Sequence, residues 1–278
     1  MDSTRVVTFE LRGREALRLG EHHSLRDAGC TLPDGAYTTL RTFRGDRVVS
    51  LDRHVSRLTS SAARLGSTGD IALPDLAAAL ASALAASGHP ESRVRITFAP
   101  PRLFASIERF APVPEALRWS GVACATLPLS RADATCKDTR FAVVAHAAAA
   151  ALPAGAHEGL LTAPDGSILE GLSSNFFALV RGTLHTEDRR ALPGLTRSLL
   201  LSLAREQLPV VERPVRIGQL PLVAESFLTS SSRGVLPVVR VDGVVIGSGR
   251  PGPVTRRLSE RLDEALLRRA VPLAALAG

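Results

Sequence analysis

The sequence predicts an α+β protein in two domains, and three observations carry that expectation. The chain has 278 residues, more than one typical domain. Short β-type runs punctuated by turn dipeptides recur along it. The helical stretches stand apart from hairpin-linked strands instead of alternating with single strands, which argues against a doubly wound parallel sheet.

Taken in order, "RVVTFEL" and "AYTTLRTF" have the β-branched and aromatic content of strands. The turn "RGD" leads to "RVVSL", which predicts a meander. "DRHVSRLTSSAARLG" places apolar residues at Val55, Leu58, Ala62 and Leu65, with Asp52 as its expected cap and Gly66 as its stop, so it reads as a helix. "LPDLAAALASALAASG" is a second helix, stopped by Gly88 and Pro90. "RVRITFAP" and "RLFASIERF" read as strands pairing around Pro100–Pro101. "APVPEA", residues 111–116, is the expected linker, which divides the chain into a small domain, 1–112, and a larger one, 113–278.

Beyond the linker, "GVACATL" reads as a strand and "FAVVAHAAAAAL" as a helix. "HEGLLTAPDGSILEG" is a hairpin turning at Asp165–Gly166. "SNFFALV" is a strand, and "LPGLTRSLLLSLAREQ" is a helix that opens after Gly194. "ESFLTSSSRGVLPVVRVDGVVIG" gives strand, loop and a hairpin turning at Asp242–Gly243. "PVTRRLSERLDEALLRRA" closes the chain as an amphipathic helix.

Composition excludes several classes. Hydrophobic residues at 45% and charged residues at 22% are those of an ordinary globular protein with a large core. No long uncharged apolar run predicts a membrane span, and the start "MDSTRVVTFELRGRE" does not read as a secretory leader. Three cysteines without metal-ligand spacing predict reduced thiols in a cytoplasm and no metal site. The net charge is +7, but the basic residues are scattered, and one Trp and one Tyr give no stacking platform for nucleic acid.

One compositional feature points to chemistry. Among 34 basic residues there is a single lysine, Lys137 in "DATCKDTRF". Arginine stays protonated, whereas a lysine amine can lose its proton and attack a carbonyl. A Schiff-base lysine calls for a carbonyl substrate or an electron-sink cofactor. Pyridoxal phosphate asks for a lysine, an anion opposite the ring nitrogen, and a phosphate cup. Glu170 in "GSILEGLSSNFF" is a candidate anion. "LPGLTRS" offers free helix N-terminal N–H groups at Leu195 and Thr196, "TSSSRG" offers Ser230, Ser231 and Ser232, and Arg57 offers a guanidinium fork.

In the order "DRHVSRL", Lys137, "LEGLSSNFFAL", "LPGLTR", "FLTSSSRGVLPVVRVDG", these segments resemble the fold-type IV family of pyridoxal-phosphate enzymes. That family holds the class IV aminotransferases, including the branched-chain and D-amino-acid enzymes, and aminodeoxychorismate lyase. The resemblance runs from about residue 30 to 245, and its most specific element is E-G-x-x-S-N-x-F, Glu170 to Phe177. It implies a two-domain fold: a small N-terminal α/β domain and a larger C-terminal cofactor-binding domain of mostly antiparallel β structure with flanking helices. The cofactor is expected between them, in a homodimer.

The resemblance implies that Lys137 forms the Schiff base and moves the proton at the substrate carbon, and that Glu170 pairs with the pyridine nitrogen. Arg57, the Leu195 and Thr196 N–H groups, Ser230 and Ser231 would hold the phosphate, with Asn175 supporting the cofactor. Tyr37, Thr38, Arg95 and Ser232 are the expected substrate side, with Arg102 or Arg140 as other carboxylate ligands. The expected reaction is amino transfer between an amino acid or amine and a 2-oxo acid. The alternative is β-elimination of pyruvate from aminodeoxychorismate, suggested by Thr38 after Tyr37 where aminotransferases commonly carry an acidic residue. The family often has Asn-Tyr where this chain has Arg140 and Phe141.

Overall fold

The computed structural model describes residues 5–278; the first four residues of the stretch "MDSTRVVTFELRGRE" lie outside it. The first half of the chain runs β1 (Val6–Arg12), β2 (Glu15–His22), α1 (Leu25–Cys30), β3 (Ala36–Arg41), β4 (Arg47–Val48), α2 (Leu51–Arg64), α3 (Leu73–Ser87), β5 (Ser92–Ala99) and β6 (Arg102–Arg109). The second half runs α4 (Glu115–Ser120), β7 (Val122–Leu127), α5 (Thr139–Ala150), β8 (Ala156–Thr162), β9 (Ile168–Gly171), β10 (Asn175–Val180), β11 (Thr183–His185), α6 (Leu195–Arg205), β12 (Val210–Val211), β13 (Val223–Ser230), β14 (Gly234–Val241), β15 (Val244–Val245), α7 (Pro253–Arg269) and β16 (Val271–Pro272). Among the described residues no helix is long and apolar enough to cross a membrane.

The elements form two compact units. The first comprises residues up to 111 together with Cys136–Arg140 and Leu266–Gly278. Its antiparallel sheet has the order β2-β1-β6-β5-β3. Successive strand residues face opposite sides, so Ala36 and Leu40 of β3 and Val94, Ile96 and Phe98 of β5 share one face. That face is buried against Leu51, Leu58 and Ala62 of α2 and Leu76, Leu80 and Ala83 of α3. Burying each such leucine contributes about 1.5–3 kcal/mol. Gly88 ends α3 in the left-handed conformation, φ 68°, as its sequence position predicts.

Two local expectations are corrected in this unit. "RVVSL" does not continue a meander. Arg44 and Gly45 turn the chain with positive φ, Phe43 bridges Arg47, and Ser50 at φ 53° starts α2. Only Arg47–Val48 remain as a strand, and they pair with β16. Asp52 is not the helix cap either. The buried Leu51 already opens α2, so Ser50 holds the cap position without a side-chain bond. Asp52 lies within the first turn, where its charge favours the helix dipole.

The second unit comprises Pro112–Thr135 and Phe141–Ala265. Its nine-stranded sheet follows β12-β11-β10-β13-β14-β7-β8-β9, with β15 paired to β14. Most pairs are antiparallel, as expected, but β7 lies parallel to both β14 and β8. The 111–116 segment is not wholly a linker, because Pro114 caps the short helix α4. The two predicted hairpins form: β8 pairs antiparallel with β9 across the Asp165–Gly166 turn. Strands β14 and β15 join through Asp242 and Gly243, both with positive φ (48° and 81°), as a tight two-residue hairpin turn demands. Phe176, Leu228, Leu236 and Val241 lie in one core cluster, while Phe177 and Phe227 stack with ring centres 5.0 Å apart.

Candidate active site

In the first unit the Lys137 segment is an extra piece of backbone on the free edge of β3. The Tyr37 N–H donates to the Lys137 carbonyl (2.9 Å), the Thr139 N–H donates to the Gly35 carbonyl (3.0 Å), and Ala36 bridges Asp138 antiparallel. That register puts Lys137 opposite Tyr37 with both side chains on one face. The lysine Nζ lies 4.6 Å from the Tyr37 ring centre. Arg95, on the same face of neighbouring β5, places its guanidinium carbon 4.9 Å from that ring and donates to the Leu25 carbonyl (3.2 Å). Burial lowers the Arg95 pKa from its ordinary value. Lys137, Tyr37 and Arg95 are thus brought together on one face.

Thr38 faces the other way, towards α2, and is fully buried. Its Oγ1 accepts from Arg57 Nη2 (2.5 Å) and lies 2.6 Å from His54 Nδ1. The Lys137 N–H donates to Ser61 Oγ (3.1 Å), and the Cys136 thiol points at the Ser61 carbonyl. His54, Arg57 and Ser61 form one stripe of α2, three and seven residues along from the first. Sequence reasoning singled out Arg57 and missed His54 and Ser61. Burial first, then the charges of Arg57, Lys137 and Arg53, hold the His54 pKa well below its ordinary value.

Arg102 and Arg140 are placed differently from Arg95. Arg102 pairs with Glu10 (2.9 Å), and together with Arg12 it lowers the Glu10 pKa to about 2. Arg140 is exposed and lines a small cavity with Asp34, Ser67 and Phe98.

In the second unit Glu170, at the end of β9, is buried with its side chain 2% exposed. One carboxylate oxygen accepts from Arg131 Nε (2.7 Å) and the other from the Leu192 N–H (3.1 Å). Arg131 is as deeply buried as Glu170, and its guanidinium lies 3.8 Å from the Phe141 ring centre. A buried carboxylate needs such a partner to stay ionised. Arg131 had no distinguishing signal in so arginine-rich a sequence. Phe141, the unexplained neighbour of Lys137, stacks on the cation that holds Glu170.

Asn175 Nδ2 donates to the Leu192 carbonyl (2.8 Å), so the signature asparagine and glutamate grip the same residue from both sides. The chain then passes Gly194, where an added Cβ would stand 2.1 Å from Asn175 Oδ1, and enters α6. Among the described residues no side chain caps the first amides of α6, so the Leu195 and Thr196 N–H groups are presented at a dipole end that favours an anion. Thr196 Oγ1 lies 3.5 Å from Ser231 Oγ, which brings the serine loop to the helix start.

Ser230 Oγ accepts from Arg233 Nε (3.2 Å), and Ser232 lies in the same turn. Arg233 also pairs with the buried Glu158, which further accepts from the Ser173 N–H (2.8 Å) and the Ser174 hydroxyl (2.9 Å). Burial alone would raise the Glu158 pKa; Arg233 and these donors overcome it and hold it below the ordinary value. Burial, and then Glu158, push the nearby Cys124 thiol up to about 12, which leaves it unreactive.

These donor sets suit a phosphorylated pyridine ring. A carboxylate fixed by a buried cation can accept from a protonated ring nitrogen, and uncapped helix amides beside serine hydroxyls can hold a phosphate. Among the described residues no cluster of side chains suits a metal ion.

Comparison with known proteins agrees with this chemistry. The family model "Amino-transferase class IV" matches residues 35–241, most of the chain. The branched-chain-amino-acid aminotransferase of Pseudomonas aeruginosa is 36% identical over 112 residues, covering 40% of this chain and 36% of that enzyme. The match therefore spans only about a third of that relative's length. The D-alanine aminotransferase of Bacillus licheniformis is 28% identical over 262 residues, covering 87% of this chain and 91% of that enzyme.

Among solved structures, a T.th. branched-chain amino acid aminotransferase with pyridoxamine 5'-phosphate superimposes with a TM-score of 0.79 at 22% identity, covering 96% of this chain and 98% of that one. The branched-chain aminotransferase of Thermoproteus uzoniensis with norvaline gives 0.75 at 21% identity, covering 98% and 99%. These likenesses establish a common fold, and the family match over residues 35–241, a span that includes the lysine, glutamate and helix-start segments, identifies the family: the chain belongs to the class IV aminotransferases.

Proposed function

We propose that the protein is a pyridoxal-phosphate-dependent aminotransferase that moves an amino group between an amino acid or amine and a 2-oxo acid. The observation that carries this reading is the placement of the sole lysine. Lys137 is fixed by backbone pairing to β3, and its amine lies at the Tyr37 ring on the sheet face that also holds Arg95. A backbone-fixed amine beside an arginine suits covalent attachment of a carbonyl compound and capture of a carboxylate.

Pyridoxal phosphate, when bound, supplies a protonated ring that draws electrons away from the substrate carbon. The chain's own residues do the rest. Lys137 is the covalent attachment point, and its released amine takes and returns the proton at the substrate carbon. Glu170, kept ionised by Arg131, accepts from the ring N–H. Arg57, the Leu195 and Thr196 N–H groups, Ser230 and Ser231 hold the phosphate, and Asn175 fixes the turn that presents those amides. Arg95 binds the substrate carboxylate over Tyr37, and Ser232 lies on the substrate side.

The lyase reading rests on Thr38. Its hydroxyl is already engaged by Arg57 and His54, which favours a part in holding the cofactor over one in proton transfer, and so favours the aminotransferase. We further propose a homodimer in a reducing cytoplasm; among the described residues none of the three cysteines is in a disulfide.

The test is spectroscopic. The purified protein, loaded with pyridoxal phosphate, should show a visible absorbance that Lys137→Ala loses. D-alanine, L-leucine and L-glutamate, added singly, should bleach it for the true donor, and a 2-oxo acid should restore it. Release of pyruvate from aminodeoxychorismate without an acceptor would instead establish the lyase. A protein that never takes up the cofactor would sink both readings.

A further inference from the structure

His54 is a buried titratable group that the scheme above does not use. Its residue is 4% exposed and Thr38 is 0% exposed, so water does not compete for the contacts between them. Arg57 Nη2 meets Thr38 Oγ1 at 2.5 Å, and the same oxygen lies 2.6 Å from His54 Nδ1. Arginine has only donors to offer, so the threonine oxygen must accept from it. The remaining valence of that oxygen is its own hydrogen, and the imidazole Nδ1 is the acceptor within reach. A hydroxyl whose hydrogen is committed to Nδ1 keeps its lone pairs turned towards the guanidinium.

Geometry on the helix supports the same chain of contacts. His54 and Arg57 are three residues apart on α2, and Thr38 reaches between them from β3. The imidazole is locked inside the unit, while Arg57 is only half-buried. A rigid interior group thus adds a restraint to a long side chain whose ordering costs rotamer entropy. Burial and three neighbouring cations also favour the neutral imidazole that can accept.

We infer that His54 is a positioning residue for Arg57, acting through the Thr38 hydroxyl, and that it sets how firmly this chain grips the phosphate of its cofactor. The inference rests on the proposed role of Arg57 as a phosphate ligand. It assigns Thr38 to the phosphate side of the site, and it gives the His54–Arg57 spacing a purpose that neither residue has alone.

The experiment compares the affinity of the full-length apo-protein for pyridoxal phosphate and for pyridoxal, which lacks the phosphate. The variants are Arg57→Ala, His54→Leu, His54→Asn, Thr38→Val and the His54→Leu/Thr38→Val pair, each checked for folding by thermal melting. His54→Leu should weaken pyridoxal phosphate about tenfold, the scale of a hydrogen bond to a charged group, and leave pyridoxal unchanged. His54→Asn, which keeps an acceptor near the Nδ1 position, should recover most of the loss. In the Thr38→Val background His54→Leu should add nothing, because the connection is already cut.

Equal weakening of both ligands by His54→Leu, no weakening of either, or a full additive loss in the double variant would overturn the inference. If Arg57→Ala leaves the preference for the phosphorylated ligand untouched, the phosphate role of Arg57 falls and the inference with it. If Arg57→Ala narrows that preference and His54→Leu does not, only the His54 inference falls.

Discussion

At the scale of single residues, the two units treat their buried ionisable groups on different principles. Glu170 is held as an ion by a partner as buried as itself, and Phe141 covers that partner. His54 is held neutral, because burial and the neighbouring cations Arg57, Lys137 and Arg53 disfavour a further positive charge. The second case fixes a pH dependence. Above the ordinary histidine value of 6.5 both folded and unfolded chains carry a neutral His54, and the contribution is complete. Below it the unfolded chain takes a proton that the folded chain refuses, so stability falls by up to about 1.4 kcal/mol per pH unit.

Denaturant unfolding between pH 7 and 5 should show that slope, and His54→Asn should reduce it to the part left by His89 and His157, whose pKa values burial also lowers. Glu10 acts in a separate window: its folded pKa near 2 against an ordinary 4.5 supplies stability that is present above 4.5 and lost as the pH drops towards 2. A slope between pH 7 and 5 that persists unchanged in His54→Asn would show that another group is responsible.

At the scale of elements, Glu170, Asn175 and the Leu195 and Thr196 amides stand at strand ends and a helix start, whereas Thr38, Arg57 and Arg95 lie within β3, α2 and β5, and this decided what could be read from sequence. Helix α2 was legible because its apolar spacing matches one buried face, and α3 because Gly88 and Pro90 mark its stop. The hairpins at Asp165–Gly166 and Asp242–Gly243 were legible because their turns demand particular residues. Strand β2 was missed because it is an edge strand whose side chains are mostly exposed, so burial imposes no alternation on it. Helix α1 was missed because it is six residues long, with only Ser24 to announce it. Lys137, Glu170, Asn175 and the α6 start were legible as an ordered set of motifs. Arg131 was not, since only the fold tells it apart from the other arginines.

The join between β10 and α6 gives a prediction at this scale. Gly194→Ala would drive a Cβ into Asn175 Oδ1 and must displace either the asparagine or the α6 amides. A loss of about 1–3 kcal/mol in stability is expected from such overpacking, together with a weaker preference for pyridoxal phosphate over pyridoxal. Unchanged thermal unfolding and cofactor affinity in this variant would show that the join is slack.

At the scale of the whole molecule, the units do not follow the chain as one cut near residue 112 would suggest. The first unit takes back residues 136–140 from the middle of the chain and the C-terminal stretch from residue 266. Linear reading could not see this, because neither segment carries a composition shift; both are recruited by backbone pairing. The family fold was nevertheless readable, since its motifs are short and keep their order whatever the path between them. If the bound cofactor is held as proposed, it should stabilise the folded chain by mass action, about 2.7 kcal/mol at a hundredfold excess over its Kd. Calorimetric scans with and without pyridoxal phosphate measure the shift, and Lys137→Ala should reduce it. A midpoint indifferent to the cofactor would contradict the proposed binding.

The attachment of residues 136–140 to β3 has a consequence for the life of the protein outside its reaction. Strand β3 ends its sheet, and a bare strand edge is a template on which other chains can pair. The lysine segment occupies that edge through the Tyr37 and Thr139 amides. The same five residues that carry Lys137 therefore cover an edge that would otherwise be open to pairing with other chains. Loosening them would expose that adhesive border and cost the chain solubility.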